Sequence, residues 1–124
     1  MNYLKFFEKL EKADPRTKYD VLDEKSTKTK EGMPDFYKTI NPLNIEFEFN
    51  DGIVRLASYE DLDTLKEEYN YVEDGFVFAI CNGEPIYLKK NNKVYSCICG
   101  KNPIIEDELA ESIEAMFEVA EELL

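Results

Sequence analysis

Histidine is absent from the 124 residues, and with it goes the one side chain that titrates unperturbed near neutrality. Nucleophile pairs of the Ser-His or Cys-His kind and imidazole-based zinc sites are therefore excluded. Glycine is scarce, at five residues; Gly83 and Gly100 stand alone, so no loop is built to cradle a phosphate. The three cysteines are an odd number, and Cys97 and Cys99 are too close in sequence for an unstrained mutual disulfide. That usage fits a reducing cytoplasm. No apolar run approaches the ~18 to 20 residues of a spanning helix, and Met1 to Lys9 interrupts its apolar residues with charge too often for a signal peptide. A membrane partner is not expected. Basic residues are in the minority, 15 against 27 acids for a net charge of −12. Such a surface repels phosphate backbones, so no nucleic-acid partner is expected either.

What the chain does have is apolar mass: 44% hydrophobic and 13% aromatic residues, enough at this length for one core but not for two. The expectation is a single domain over residues 1–124. Residues 1–30 read as a helix followed by a mobile basic loop, and residues 31–124 as the core.

Apolar residues at helical spacing from Asn2 to Ala13, stopped by Asp14-Pro15, predict an amphipathic helix. Arg16 to Gly32 carries Lys18, Lys25, Lys28 and Lys30 among small polar residues and reads as a loop. Met33 to Ile40 predicts a short helix, halted by Asn41-Pro42. Strict alternation over Ile45-Glu46-Phe47-Glu48-Phe49 predicts a half-buried strand, and Asn50-Asp51-Gly52 a tight turn into a partner strand over Ile53 to Ala57. Ser58-Tyr59-Glu60-Asp61 resembles a capping box opening a helix with Leu62, Leu65 and Tyr69 on one side.

The run Phe76 to Cys81 predicts a central strand covered on both faces. Asn82-Gly83 turns it into Pro85 to Lys89, and Lys90-Asn91-Asn92 turns that into Lys93 to Cys99, an antiparallel meander of three strands. Glu106 to Leu124 reads as one continuous helix with an apolar stripe from Leu109 to Leu124. Phe47, Phe78, Ile113 and Phe117 are expected to be buried together.

Acidity is concentrated at the C-terminal end. Residues 105–124 hold eight acids and no base, whereas residues 1–38 hold nine bases and eight acids. In a single C-terminal helix, Glu106, Asp107 and Glu108 would suit the positive end of the dipole, and Glu118, Glu121 and Glu122 would oppose the negative end.

In order along the chain come Met33-Pro34-Asp35-Phe36-Tyr37, Ser58-Tyr59-Glu60-Asp61-Leu62, Phe76-Val77-Phe78-Ala79, Tyr87-Leu88, Lys93-Val94-Tyr95 and Ser112-Ile113-Glu114-Ala115-Met116-Phe117. Over about residues 31–124 this succession resembles the SUKH superfamily. The family shows Leu-Pro-x-x-Tyr, a Ser-x-Glu-Glu-Leu helix start, a Phe-Ile-x-Ala strand, a Tyr-x-Leu-Asp hairpin into Gly-Lys-Val-Tyr, and a closing Ser-Phe-Glu-Glu-Phe helix. The chain departs from the pattern at Asn41-Pro42, where members carry Asn-Gly, and at Lys89, which replaces the hairpin Asp. The resemblance implies an α+β domain with a mixed, mostly antiparallel sheet and packed N- and C-terminal helices. It also implies a non-catalytic, protein-binding role, most often as the immunity partner of a bacterial toxin and in fungi as a regulator of cell-wall synthesis.

Other chemistry reads poorly. Cys81, Cys97 and Cys99 could offer three thiolates, but no imidazole can complete a four-ligand zinc site and cysteine is commonly a core residue. No metal and no cofactor are expected. Carboxylate pairs such as Glu46 with Glu48, or Asp61 with Asp63, arise by chance in so acidic a chain, and a small domain offers little room for a sugar cleft. The expectation is a non-enzymatic module that binds another protein, such as a basic toxin domain; a regulatory or scaffolding module without a toxin partner is the alternative. Outward carboxylates on the Glu46/Glu48 strand face or the Glu73-Asp74 loop are the candidate contacts, and the C-terminal glutamates are a second patch.

Overall fold

The computed structural model describes residues 1–23, 28–98 and 103–124. Among these residues the chain runs α1 (Tyr3–Ala13), β1 (Lys18–Val21), β2 (Ile40–Phe49), β3 (Gly52–Leu56), α2 (Leu62–Glu68), β4 (Gly75–Cys81), β5 (Glu84–Lys89), β6 (Val94–Cys97), β7 (Glu106–Ala110) and α3 (Ile113–Glu122). Short 3₁₀ turns at Asp35–Lys38 and Tyr59–Asp61 precede β2 and α2. The seven strands form one sheet in sequence order, with every neighbouring pair antiparallel. The domain is thus α+β as expected. Its sheet is wholly antiparallel where a mixed one was implied, and the meander extends from three strands to all seven.

Side-chain alternation sorts the sheet into two faces. Ile45, Phe47, Phe49, Val54 and Leu56 point into a main core with Phe6, Phe7 and Leu10 of α1 and Ile113, Met116, Phe117 and Ala120 of α3. Phe47, Phe78, Ile113 and Phe117 are all buried in it, as the sequence predicts. A second core on the other face joins Leu65, Tyr69 and Val72, from α2 and the turn after it, to Val77, Tyr87 and Cys97. β4 lies fourth of seven strands and is flanked by both cores, which is why its apolar run is nearly unbroken. Two of the hairpins turn on positive φ: Asn50 and Asp51 at 49° and 62°, Asn82 and Gly83 at 53° and 79°. These are the residues for which left-handed backbone costs least.

Several expectations are corrected. The 16–32 segment is not all loop: Lys18–Val21 forms edge strand β1, pairing Val21 with Ile40 and Tyr19 with Pro42. A four-residue, mostly exposed strand carries almost no alternation to read, and its structure comes from β2. Asn41-Pro42 does not end an element but lies inside β2. Pro42 is tolerated because β3 pairs only from Ile45 onward and a bulge between Lys18 and Tyr19 relaxes the β1 side. Most consequentially, Glu106 to Leu124 is not one helix.

Glu106–Ala110 closes the sheet beside β6, and the helix starts at Ile113 with Ser112 as its N-cap, whose Oγ accepts from the Ala115 N–H at 3.0 Å. The unpaired outer edge of β6 offers backbone hydrogen bonds that helix periodicity does not register. Glu106 is also drawn there by the Tyr87 hydroxyl, which donates to it at 2.9 Å, and by Lys89 at 3.0 Å. Glu106, Asp107 and Glu108 therefore belong to a strand, and their dipole argument lapses. Glu121, which opposes the dipole, is paired with Lys9 of α1.

The capping box at Ser58 is also not formed, since no side-chain cap bond is made there. Asn41 does that fastening from β2. Its amide donates to both carboxylate oxygens of Glu60, at 3.1 and 3.0 Å, and its carbonyl accepts from the Tyr59 N–H at 2.8 Å. The Asn41 hydrogen bonds hold the Glu60 carboxyl below its ordinary 4.5. A depressed folded-state pKa contributes stability above the unfolded value, which is lost as pH falls through the folded value. Asn41→Ala is expected to cost about 1 to 3 kcal/mol at neutral pH. The gap to the parent narrows when urea melts are repeated in acid, below the ordinary Glu60 value. A gap of unchanged size would show that the Glu60 contact contributes nothing through its charge.

Candidate functional site: a groove at one end of the sheet

A concavity with a volume of about 820 Å³ lies between the 30–35 stretch, α2, the starts of β4 and α3, and the β5–β6 turn. Met33, Phe76, Leu88 and Ile113 give it an apolar lining; Met33 and Ile113 are buried, while Phe76 and Leu88 remain half-buried and accessible. Gly32, at φ 79°, makes the bend that lays this stretch beside the Phe76 ring, 3.8 Å from where a Cβ would stand. Gly75 allows β4 to start tight against Tyr87.

Two lysines organise the rim. Lys30 contacts both oxygens of Asp63, at 3.2 and 3.3 Å, and sits 4.9 Å above the Tyr59 ring; the Tyr59 hydroxyl in turn donates to the Lys28 carbonyl at 2.8 Å. Lys89 bridges Asp74 at 3.2 Å and Glu106 at 3.0 Å and lies 4.9 Å above the Tyr95 ring. Hydrogen bonding to Glu106, then to Asp74, raises the Lys89 pKa. These two clamps tie the loops around the groove to α2 and to β7. Lys66 and Lys90 add positive charge, and Glu31 and Glu73 negative charge, to the same rim.

The hydroxyls near the groove are engaged. Ser112 caps α3. Tyr69 donates to the Gly83 carbonyl at 3.1 Å. Tyr3 is raised to about 12 by burial and then by the Glu114 carboxylate. Deeper in the sheet, the Tyr87 phenol is pushed up by burial and by its hydrogen bond to Glu106.

The four carboxylates singled out from sequence fall on two separate surfaces. Glu73 and Asp74 line the groove, both exposed, but Asp74 is already paired with Lys89. Glu46 and Glu48 are exposed on β2, on the opposite side of the strand from Phe47, where Arg55 stands across from Glu46 and Ile53 across from Glu48. That face is of mixed charge, not uniformly acidic. The groove's lysines and its apolar lining escape sequence reasoning because five separate stretches supply them.

The cysteines are placed apart. Cys81 is half-buried beside Gly52, with its thiol pushed up by burial, and Cys97 is buried in the second core. No disulfide joins the two. Cys99 lies outside the described residues. Among the described residues no group of three or more Cys, Asp or Glu side chains is placed to hold a metal ion, and no helix is long and apolar enough to cross a membrane.

No family model, curated protein or solved structure matches this chain. Its function has therefore to be argued from the groove and the surfaces around it.

Proposed function

We propose that this chain is a non-enzymatic, cytoplasmic protein-binding domain of the SUKH type, an immunity protein that neutralises a bacterial toxin by docking a segment of it in the groove. One observation carries the reading. Met33, Leu62, Phe76, Leu88, Ser112 and Ile113 come from five of the six motif segments that resemble the family, and all of them line this one concavity. An accessible apolar lining inside a charged rim is the anatomy of a docking site, with apolar contact for affinity and rim charge for partner choice. The engaged hydroxyls also fit binding better than turnover.

The test is genetic and biochemical. Where a toxin domain is encoded beside the gene, co-expression with it is expected to restore growth, and the two purified proteins to form a stoichiometric complex. Because the exposed carboxylates meet a basic partner, Glu73→Lys combined with Asp74→Lys is expected to slow association and flatten its dependence on salt. Absence of both protection and complex would refute the immunity assignment. It would leave a regulatory or scaffolding module.

A further inference from the structure

The exposed side of α3 carries two parallel rows that the fold uses only at their first residues. Glu114, Glu118 and Glu122 follow one another at i, i+4 and i+8, as do Ala115, Val119 and Leu123 immediately beside them, and such spacing stacks side chains along one helix face. Val119 and Leu123 are 43% and 55% exposed although the opposite side of the helix is buried in the main core. The terminal amine of Met1 lies 3.7 Å from Glu114, and Lys9 is taken by Glu121. Glu118 and Glu122 are left without an ion-pair partner among the described residues. Like charges four residues apart destabilise a helix, and carboxylates in its last turn oppose the dipole. Glu118 and Glu122, and Val119 and Leu123 beside them, are accounted for neither by packing nor by internal electrostatics.

We infer that this face of α3 is a docking surface for a basic protein segment, one that sets Lys or Arg against Glu118 and Glu122 and an apolar ridge against Val119 and Leu123. Charge selects the occupant: residues 105–124 hold eight acids and no base, so a second copy of this chain would be repelled and a cationic partner attracted. The apolar row gives such a partner something to bury, since ridges at i, i+4 spacing fit the grooves of a facing helix. α3 also begins at the groove, where Ser112 and Ile113 line it, so one partner could touch both. The inference rests on the reading of the chain as a protein binder and adds a surface to it.

The experiment titrates the full chain with a synthetic amphipathic peptide whose helix carries a row of Lys beside a row of Leu, followed by amide chemical shifts. Shifts are expected to concentrate on residues 115–123. Val119→Ser with Leu123→Ser, which leaves net charge unchanged, is expected to weaken binding at least about tenfold, a difference near 1.4 kcal/mol. Glu118→Lys with Glu122→Lys should do the same. Glu46→Lys with Glu48→Lys, which alters net charge equally, is expected to change affinity less than about twofold because those residues lie elsewhere. All of these positions are exposed, and thermal melts verify that the variants fold. Absence of binding, shifts confined to other elements, or equal weakening by the two charge reversals would overturn the inference. Neutralisation of a toxin through the groove would survive that result, since the co-expression experiment reads it independently.

Discussion

Replacing Phe117 with alanine is expected to remove about 3 to 5 kcal/mol of stability, the upper range for emptying a fully buried aromatic site. Phe117 is 0% exposed and is the hub of the main core. Its ring stacks on Phe6 at 4.7 Å and meets Phe36 at 5.5 Å, Phe47 at 5.7 Å, Phe7 at 5.9 Å and Tyr3 at 6.0 Å. Those partners belong to α1, to β2 and to the 3₁₀ turn between β1 and β2, so the cavity would loosen all three from α3 together. Rings held by several neighbours collapse poorly into a void, which keeps the loss near the top of the range. Urea denaturation followed by far-UV circular dichroism measures it. A loss under about 1 kcal/mol would mean that α3 does not pack as described.

Gly75→Ala is expected to cost about 3 kcal/mol, the high end for overpacking a well-filled site. An added Cβ would stand 2.3 Å from Cδ2 of Tyr87 and 3.0 Å from Cγ1 of Val72. Tyr87 cannot swing aside, being 0% exposed and tied through its hydroxyl to Glu106. Backbone conformation is not the cause, and Gly83 provides the comparison. At Gly83, φ is 79° and nothing lies within 4 Å of a Cβ, so alanine there costs only the left-handed penalty of about 1 kcal/mol. Because β4 starts at the groove, Gly75→Ala would also disturb Phe76. A loss for Gly75→Ala no larger than for Gly83→Ala would show that β4 and Tyr87 separate easily.

Local signals in the sequence were reliable where local chemistry decides the structure. Alternation over Ile45 to Phe49 placed Phe47 inward and Glu46 and Glu48 outward, and Asn50-Asp51-Gly52 and Asn82-Gly83 turned where left-handed backbone is cheap. They misled where a neighbour decides. Leu109, Ala110, Ile113, Met116 and Phe117 satisfy helical spacing as a set, yet the first two lie on a strand because β6 presents an open edge; Ser112 was the available sign that the helix starts later. β1 owes its conformation to pairing with β2, and Asn41-Pro42 reads as a stop until β1 is set beside it. The candidate site was legible only in part. Exposure of Glu46, Glu48, Glu73 and Asp74 follows from pattern, but their division between two surfaces does not. The Lys30 and Lys89 clamps join residues 33 and 17 apart in sequence, beyond the reach of any periodicity.

Amide hydrogen exchange, comparing the chain alone with the chain bound to a toxin domain that it is found to neutralise, tests most directly whether the groove is the docking site. Protection on binding is expected in residues 30–35, 73–77 and 88–92, the stretches that surround the apolar lining. Protection confined to the hairpin of β2 and β3, with these stretches exchanging as fast in the complex as in the free chain, would contradict it.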